Sequence, residues 1–372
     1  MTYTLAMDNF RCYHHRRHQW RSPVTMLHGP NGSGKTSWLE ALSLLIPGRG
    51  LRSCSSEQWH QHHSSDPWRI QLGWDHPTGA VHIETRLSEQ RRRFWVNGVL
   101  LKNQHEIRQW LTVTWPMHLP HDTPSLRRAY WNRLVYTLDP DYGPLWMHHD
   151  KALKQRNALL AQDSHHDLWF DSIESELARL ATAIHIKRQE AVEKIHAALA
   201  NHATPFPAPT CVLSGSTETA LEQDPSGNHY RQLLRHGRAT DRIKKSTSIG
   251  MHKTTVQWFH PNGQEWGVCS TGEQKSITVS LALAVCRAAW NPTTDRQHLF
   301  LLDEGLVHLD TERQQWLWEE LYHLPYQCLI SGNHPPSFVP LSSEALVLWT
   351  PHKDHKTTDA AVALAPPLIH PR

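Results

Sequence analysis

The sequence predicts an α/β fold whose two halves are separated by an inserted helical segment. Three observations carry that expectation. A short apolar run at residues 24–27, Val-Thr-Met-Leu, leads into a glycine-rich loop and then into residues of helical periodicity, Trp38, Leu39, Leu42, Leu45 and Ile46. Far along the chain, the unbroken apolar run 299–302 ends in Asp303 and Glu304, as a parallel strand buried on both faces does when it delivers acids to a sheet edge. Between Pro144 and Pro205 there is neither Gly nor Pro, which reads as helix.

The elements follow in order. Residues 1 to about 115 read as β-rich, interrupted by the helix after the glycine loop, which Pro47-Gly48 stops. Val81-His-Ile-Glu-Thr-Arg-Leu87 alternates with period two, and Arg93-Phe-Trp-Val runs into the hairpin pair Asn97-Gly98. Pro116, Pro120 and Pro124 then punctuate the chain. In the helical region, Asp163-Ser-His-His-Asp167 is the natural break between two helices, and Ile173, Leu177, Leu180, Ile184, Ala191 and Ile195 follow heptad-like spacing in the second. Helices this short, on the order of 30–50 Å, make an antiparallel arm. Residues 203–229 read as irregular or edge structure. Thr255-Val-Gln-Trp-Phe259 reads as a strand, Pro261-Asn-Gly263 as a turn, and 277–290 as an apolar helix. No internal repeat is visible.

Bulk properties exclude several classes. A chain of 372 residues holds two or three domains. The net charge of +3 means that any nucleic-acid surface must be a local patch. Six cysteines (12, 54, 211, 269, 286 and 328) are scattered without a C-x-x-C, so reduced thiols fit better than a zinc ribbon or a disulfide frame. The N-terminus lacks a basic stretch followed by an apolar one, and no apolar run approaches 18 residues, so no membrane partner is expected. The 30 His and 17 Trp stand out. Pairs such as His14-His15, His62-His63, His148-His149 and His165-His166, and the His14/His18 spacing, invite a metal reading. No carboxylate or Cys completes a set, so these read as solvated histidines that make the surface more basic below pH 7.

Gly29-Pro30-Asn31-Gly32-Ser33-Gly34-Lys35-Thr36 matches G-x-x-x-x-G-K-[ST] in full. The glycines let the backbone curl so that its N–H groups point at phosphate oxygens. Lys35 would reach the β- and γ-phosphates of ATP and the Thr36 hydroxyl would ligate Mg²⁺. The following helix adds its N-terminal dipole. In that setting Asp303 is expected to hold Mg²⁺ through water, and Glu304 to orient or deprotonate the attacking water.

Ser270-Thr-Gly-Glu-Gln-Lys275 opens the helix before the acidic strand. Ser270 with Glu273 is a capping box, and a cap alone would explain the pair. Ser-x-Gly-[Gln/Glu] in this place is also the signature segment of ABC-type ATPases, where Ser270 and Gly272 would meet the γ-phosphate held by another subunit. Three motifs in this order imply a site completed by two chains, joined head to tail by ATP. Lys35 and Asp303 lie 268 positions apart, so a helical module interrupts one ATPase core. That is the plan of SMC-like heads with a short arm. The boundaries expected are 1–118 for the N-terminal half of the head, 119–254 for the arm and 255–372 for the C-terminal half.

The chain resembles the RecF family of bacterial recombination and gap-repair ATPases. Asn9-Phe10-Arg11-x-Tyr13 is similar to its opening N-F-R-N-Y, the glycine loop to its G-x-N-G-x-G-K-T, and Leu39-Glu40-Ala41 continues the match. Gly48-Arg-Gly-Leu-Arg-Ser53 resembles its G-R-S-x-R-x segment, and Arg127-Arg128 lies where the family has an arginine pair. Leu153-Lys-Gln-Arg-Asn157 matches the family's arm helix and is absent from generic ABC ATPases. Cys269–Lys275, Leu302-Asp-Glu304 and His308-Leu-Asp310 complete the set. Gly250-Met-His-Lys253 departs from the family's G-P-H-[RK] at Met251, and Thr254 and Thr255 stand where the family has acids. His334 in Ser331-Gly-Asn-His occupies the place of a switch residue.

The resemblance implies a weak, DNA-stimulated ATPase that binds ATP and Mg²⁺, with Arg11 among the nucleotide contacts. An ATP-driven homodimer would bind duplex DNA at single-strand gaps and release it on slow hydrolysis. It would act in gap repair and replication restart with RecR and RecO, and indirectly with RecA, in the cytoplasm on the nucleoid. DNA contact is expected to be phosphate-directed, with Arg91-Arg92-Arg93, Arg127-Arg128 and Lys244-Lys245 as candidate segments. The rivals are an SMC-like ATPase of another DNA-maintenance or defence system, a metal-dependent nuclease, and a degenerate ATP-binding scaffold. The Leu153–Asn157 segment, the lack of a ligand set and Glu304 count against them respectively.

Overall fold

In the computed structural model the chain divides into two compact units, residues 1–116 with 290–372 and residues 117–289. The residues described are 1–52, 54, 56–61, 66–76, 79–89, 91–116, 123–162, 166–333 and, for the backbone alone, 347–349. His62, His63, His165, Pro120 and His334 lie outside them.

The first unit is built on two sheets. Strands β1 (Tyr3–Phe10) and β2 (Tyr13–Trp20) form a hairpin; β3 (Val24–His28) and helix α1 (Lys35–Ser43) flank the glycine loop. Then follow β4 (Arg69–Trp74), β5 (Val81–Ser88), β6 (Arg91–Val96), β7 (Val99–Leu100) and β8 (Leu111–Thr114). Strands β2-β1-β4-β5-β6-β7 make an antiparallel sheet. Its inward residues alternate as read: Val81, Ile83 and Thr85 are buried, and His82, Glu84 and Arg86 face outward. Asn97 (φ 50°) and Gly98 (φ 79°) both sit in the left-handed region, which the type I′ turn joining β6 to β7 requires.

The chain returns to this unit as β11 (Gln297–Leu302), α9 (Thr311–His323), β12 (Gln327–Gly332) and β13 (Val347–Trp349). The second sheet, β13-β3-β12-β11-β8, is parallel throughout. Residues 298–302 of β11 are all buried, because strands flank it on both sides and its faces are covered. Trp38 of α1 is fully buried with its ring against Trp20 and His18. Tyr3 donates to Gln297 (2.7 Å) and Trp20 to Gln327 (2.9 Å), so these two buried polar tips find partners. Trp20, Trp38, Trp59, Trp68, Trp74, Trp115, Trp131, Trp258, Trp266 and Trp318 are all buried. Much of the Trp excess therefore fills cores.

The second unit contains α2 (Pro124–Leu138), α3 (Tyr142–Ala161), α4 (Asp167–Ala200), β9 (Thr210–Ser214), α5 (Ser216–Gln223), α6 (Asn228–His236), α7 (Arg238–Lys244), β10 (Thr255–Phe259) and α8 (Thr271–Ala289). Leu177, Leu180, Ile184, Ala191 and Ile195 of α4 share one core with Ile277, Leu281, Ala284 and Val285 of α8. This compact unit runs through α8 to Ala289. Residues 203–229 are more ordered than expected: β9 pairs with β10, and Ala220 and Leu221 of α5 join the core. The signal was faint because these elements are short, five residues in β9 and eight in α5.

The family-like segment 153–157 acts as internal framework. Arg156 is fully buried. It donates to Glu174 (3.0 Å), Asp241 (2.7 Å), Thr247 (2.9 Å) and the carbonyl of Leu234 (2.8 Å). Asn157 accepts from the Thr247 N–H (2.8 Å) and hydroxyl (2.7 Å). Arg238 shares Glu174 and reaches Asp167 and Asp171. A second buried arginine, Arg188, donates to Tyr142 (3.0 Å), Asn132 (2.9 Å) and Thr254 (2.6 Å), so the buried Thr254 hydroxyl meets a cation.

Not every histidine is solvated. His149 is fully buried, stacked on Trp146 at 5.5 Å between centroids. Burial, reinforced by His252 and Arg188, holds its pKa down to about 4. The folded state therefore refuses a proton that the unfolded chain accepts near pH 6.5. Stability is complete above that pH and falls as pH drops towards 4, by up to about 1.4 kcal/mol per pH unit from this group. Denaturant melts at pH 7.5 and 4.5 should show His149→Phe losing less stability on acidification than wild type; equal losses would refute the assignment.

Candidate nucleotide site

The end of β3, the turn into α1 and the ends of β11 and β12 converge. Gly29 (φ 152°), Gly32 (φ 78°) and Gly34 (φ 102°) give the loop its curl. A Cβ on Gly34 would lie 2.3 Å from the Tyr13 hydroxyl, so that position needs glycine on two counts. Ser33 is buried, while Pro30, Asn31 and Gly32 are exposed at the loop tip. The Lys35 ammonium donates to the carbonyls of Gly29 (2.6 Å) and Pro30 (3.0 Å) and to Asn333 Oδ1 (3.3 Å). The Thr36 hydroxyl donates to Asp303 Oδ1 (3.1 Å). The structure thus joins residues 267 positions apart in sequence. A hydroxyl and a carboxylate make a hard, all-oxygen donor set of the kind Mg²⁺ takes with a few waters and phosphate oxygens, so the residues present fit that ion.

Glu304 lies at the next position, exposed and with φ 49°, outside the regions a non-glycine side chain prefers. A Cβ on Gly305 would come within 2.3 Å of Leu302, so the residue after the acids must be glycine. Asp310 caps α9 by accepting from the Arg313 N–H (2.8 Å).

Arg11, expected at the nucleotide, is anchored on the loop helix. Its Nε (2.8 Å) and Nη2 (2.7 Å) both donate to fully buried Glu40. Burial works against the Arg11 charge, and Glu40 and the Cys54 thiol outweigh it, holding the pKa above the ordinary arginine value. Ser270 and Gly272 belong to the second unit. Ser270 is exposed and makes the reciprocal cap: its N–H (2.8 Å) and hydroxyl (2.7 Å) donate to Glu273, whose N–H donates back (3.4 Å). The sequence reading gave no role to Asn333, to Ser331, which bonds Asp303, or to Glu40. Leu39-Glu40-Ala41 and the Ser331–His334 stretch had drawn notice only as family-like segments.

The basic candidates sort by pleat and partner. Arg92 points inward to the carbonyls of Ile46 (2.9 Å) and Gly48 (2.8 Å), and burial lowers its pKa to about 10. Arg127 pairs with Glu265 (2.9 Å), and Arg128 donates to the Thr254 carbonyl (3.3 Å). Lys244 and Lys245 are exposed at the end of α7. On the outer face of the antiparallel sheet, Arg69, Arg86 and Arg93 stand directly opposite one another across β4, β5 and β6. Glu84 partners Arg69 and Arg86, and Glu89 partners Arg93. Like charges in register are unfavourable without such counter-charges. Among the described residues, no group of three His, Cys, Asp or Glu side chains is placed to hold a metal, and no helix is long and apolar enough to cross a membrane.

Known proteins resemble this chain in sequence and in fold. The AAA domain family matches residues 4–126. A DNA replication and repair protein RecF from Mesorhizobium japonicum is 32% identical over 362 residues, covering 94% of this chain and 95% of the relative. In fold, the chain is similar to a structure of the recombination mediator protein RecF with ATP in the RecFOR pathway (TM-score 0.78, 22% identity, 91% of this chain and 94% of that one). It is also similar to the Smc head domain bound to the C-terminal domain of ScpA from Pyrococcus furiosus (TM-score 0.51, 12% identity, 95% and 94%). With an α/β ATPase-type head fold and this identity along almost its whole length, the chain belongs to the RecF family of DNA replication and repair proteins.

Proposed function

We propose that this protein is an ATP-switched DNA clamp of gap repair and replication restart. The observation that carries the reading is the meeting of Lys35, Thr36 and Asp303 where parallel strands end, sealed by the Thr36–Asp303 hydrogen bond. The loop N–H groups and Lys35 would hold the phosphates of ATP. Mg²⁺ between Thr36 and Asp303 would offset phosphate charge. Glu304 would take the proton of the attacking water as its oxygen bonds the γ-phosphorus and the bond to the β-phosphate oxygen breaks. Ser270, exposed beside the start of α8, and half-buried Gly272 in its first turn would meet the γ-phosphate of a second copy. Head halves at 1–118 and 255–372 around an arm at 119–254, a weak DNA-stimulated turnover, a cytoplasmic place on the chromosome and partnership with RecO and RecR, ahead of RecA, belong to this same reading. Arg69, Arg86 and Arg93 would contact DNA phosphates, giving sequence-independent, salt-sensitive binding.

Sedimentation of the full chain tests it. With ATP the protein is expected to run as a dimer that carries gapped duplex DNA, and without ATP as a monomer. The Arg69/Arg86/Arg93→Gln protein should still dimerise but carry less DNA. A chain that stays monomeric with ATP would reduce the Ser270 segment to a helix cap and end the switched-dimer mechanism. An SMC-like ATPase of another DNA-maintenance or defence system would dimerise equally but fail to act with RecR.

A further inference from the structure

We infer that Ser331 is the positioning residue of this nucleotide site, its single hydroxyl setting the geometry of both acidic residues. The inference rests on the ATPase reading above. Strand β12 lies between β3 and β11, so its C-terminal end emerges between the glycine loop and the acids. The register makes the placement exact to one residue: Ile330 pairs with Leu302 and Ser331 with Leu27, which puts Ser331 level with Asp303. The hydroxyl donates to Asp303 Oδ1 (2.5 Å), the same oxygen that accepts from Thr36 (3.1 Å). It also accepts the Glu304 backbone N–H (2.8 Å), and its own carbonyl accepts the Gly305 N–H (3.3 Å).

These bonds have two consequences. Asp303 Oδ1 receives two hydroxyl donors, which orients its carboxylate and leaves Oδ2 as the oxygen able to face a cation or its waters. Glu304 keeps a left-handed backbone (φ 49°), which a non-glycine residue holds only where neighbouring bonds fix it. Ser331 supplies two bonds to that turn. It is 1% exposed, so water cannot replace its hydroxyl without rearrangement. Alanine at 331 would remove the hydroxyl that accepts the Glu304 N–H and donates to Asp303, and let both the water-directing carboxylate and the Mg²⁺-facing one swing.

The test compares Ser331→Ala, Ser331→Cys and Ser331→Thr with wild type. The readouts are binding of a fluorescent ATP analogue, steady-state hydrolysis with gapped DNA, the Mg²⁺ concentration for half-maximal turnover, and thermal midpoint. The Ala variant is expected to lose about 10–100-fold in kcat and to need more Mg²⁺, while binding nucleotide within about threefold of wild type. Cys, near in size but a weak hydrogen-bonding group, should group with Ala. Thr, which keeps the hydroxyl, should restore most turnover. Unchanged kcat and Mg²⁺ dependence in Ala and Cys would overturn the inference while leaving the ATPase reading intact. So would a loss of nucleotide binding that tracks a lowered thermal midpoint in all three, since that marks a purely structural serine. A wild-type protein that neither binds nor hydrolyses ATP would overturn the ATPase reading and this inference with it.

Discussion

Arg156→Met is expected to destabilise the protein by about 3–5 kcal/mol, lowering the thermal midpoint by on the order of 10 °C. Arg156 makes four hydrogen bonds at zero exposure, two of them to the carboxylates of Glu174 and Asp241. Those acids are themselves almost completely buried. Methionine would fill much of the volume but remove the guanidinium that pairs with Asp241 and leave Glu174 only Arg238 among the described residues. An uncompensated buried charge costs more than the intact pair contributes. Arg156→Lys should recover only part of the loss, because one ammonium cannot span partners that a planar fork reaches in several directions. Urea melts of the three proteins decide the matter. A Met variant within 1 kcal/mol of wild type would mean the network relaxes or hydrates.

Glu304→Gln should lower turnover by roughly 10²–10⁴-fold with little change in nucleotide affinity. Gln is nearly isosteric, so the left-handed backbone and the N–H bond to Ser331 are kept, and only the ability to accept a proton is removed. In sedimentation the variant should hold the ATP dimer for longer than wild type, since hydrolysis is the step that releases it. Single-turnover hydrolysis and analogue binding separate the two quantities. Turnover within tenfold of wild type would show that another group takes the proton, and Glu304 would lose its place as the base.

What was readable in the chain was chemistry that a few neighbouring residues carry together. The glycine loop with Lys35 and Thr36, the apolar run ending in Asp303 and Glu304, the Ser270–Glu273 cap and the Asn97-Gly98 turn each depend on local backbone needs. Each therefore left a local pattern. The Leu153–Asn157 segment was legible as family-like but not as framework, because its partners Glu174, Leu234, Asp241 and Thr247 are scattered across α4, α6, α7 and the loop after it. Arg91, Arg92 and Arg93 looked alike as letters. The pleat sends Arg92 inward to carbonyls and leaves Arg93 on the outer face in register with Arg86.

The remaining features come from long-range pairing, which no window of sequence encodes. Whether Thr36 meets Asp303, whether β12 enters between β3 and β11, and whether Arg11 turns to Glu40 depend on strand order and register in the assembled sheets. The same holds for histidines: His14 and His149 carry the same imidazole, and only the packing around Trp146 makes one of them a buried neutral ring. Local sequence set the elements and the reactive groups, because backbone propensity and turn chemistry act over a few residues. Folding chose their partners, because burial and strand pairing join residues hundreds of positions apart.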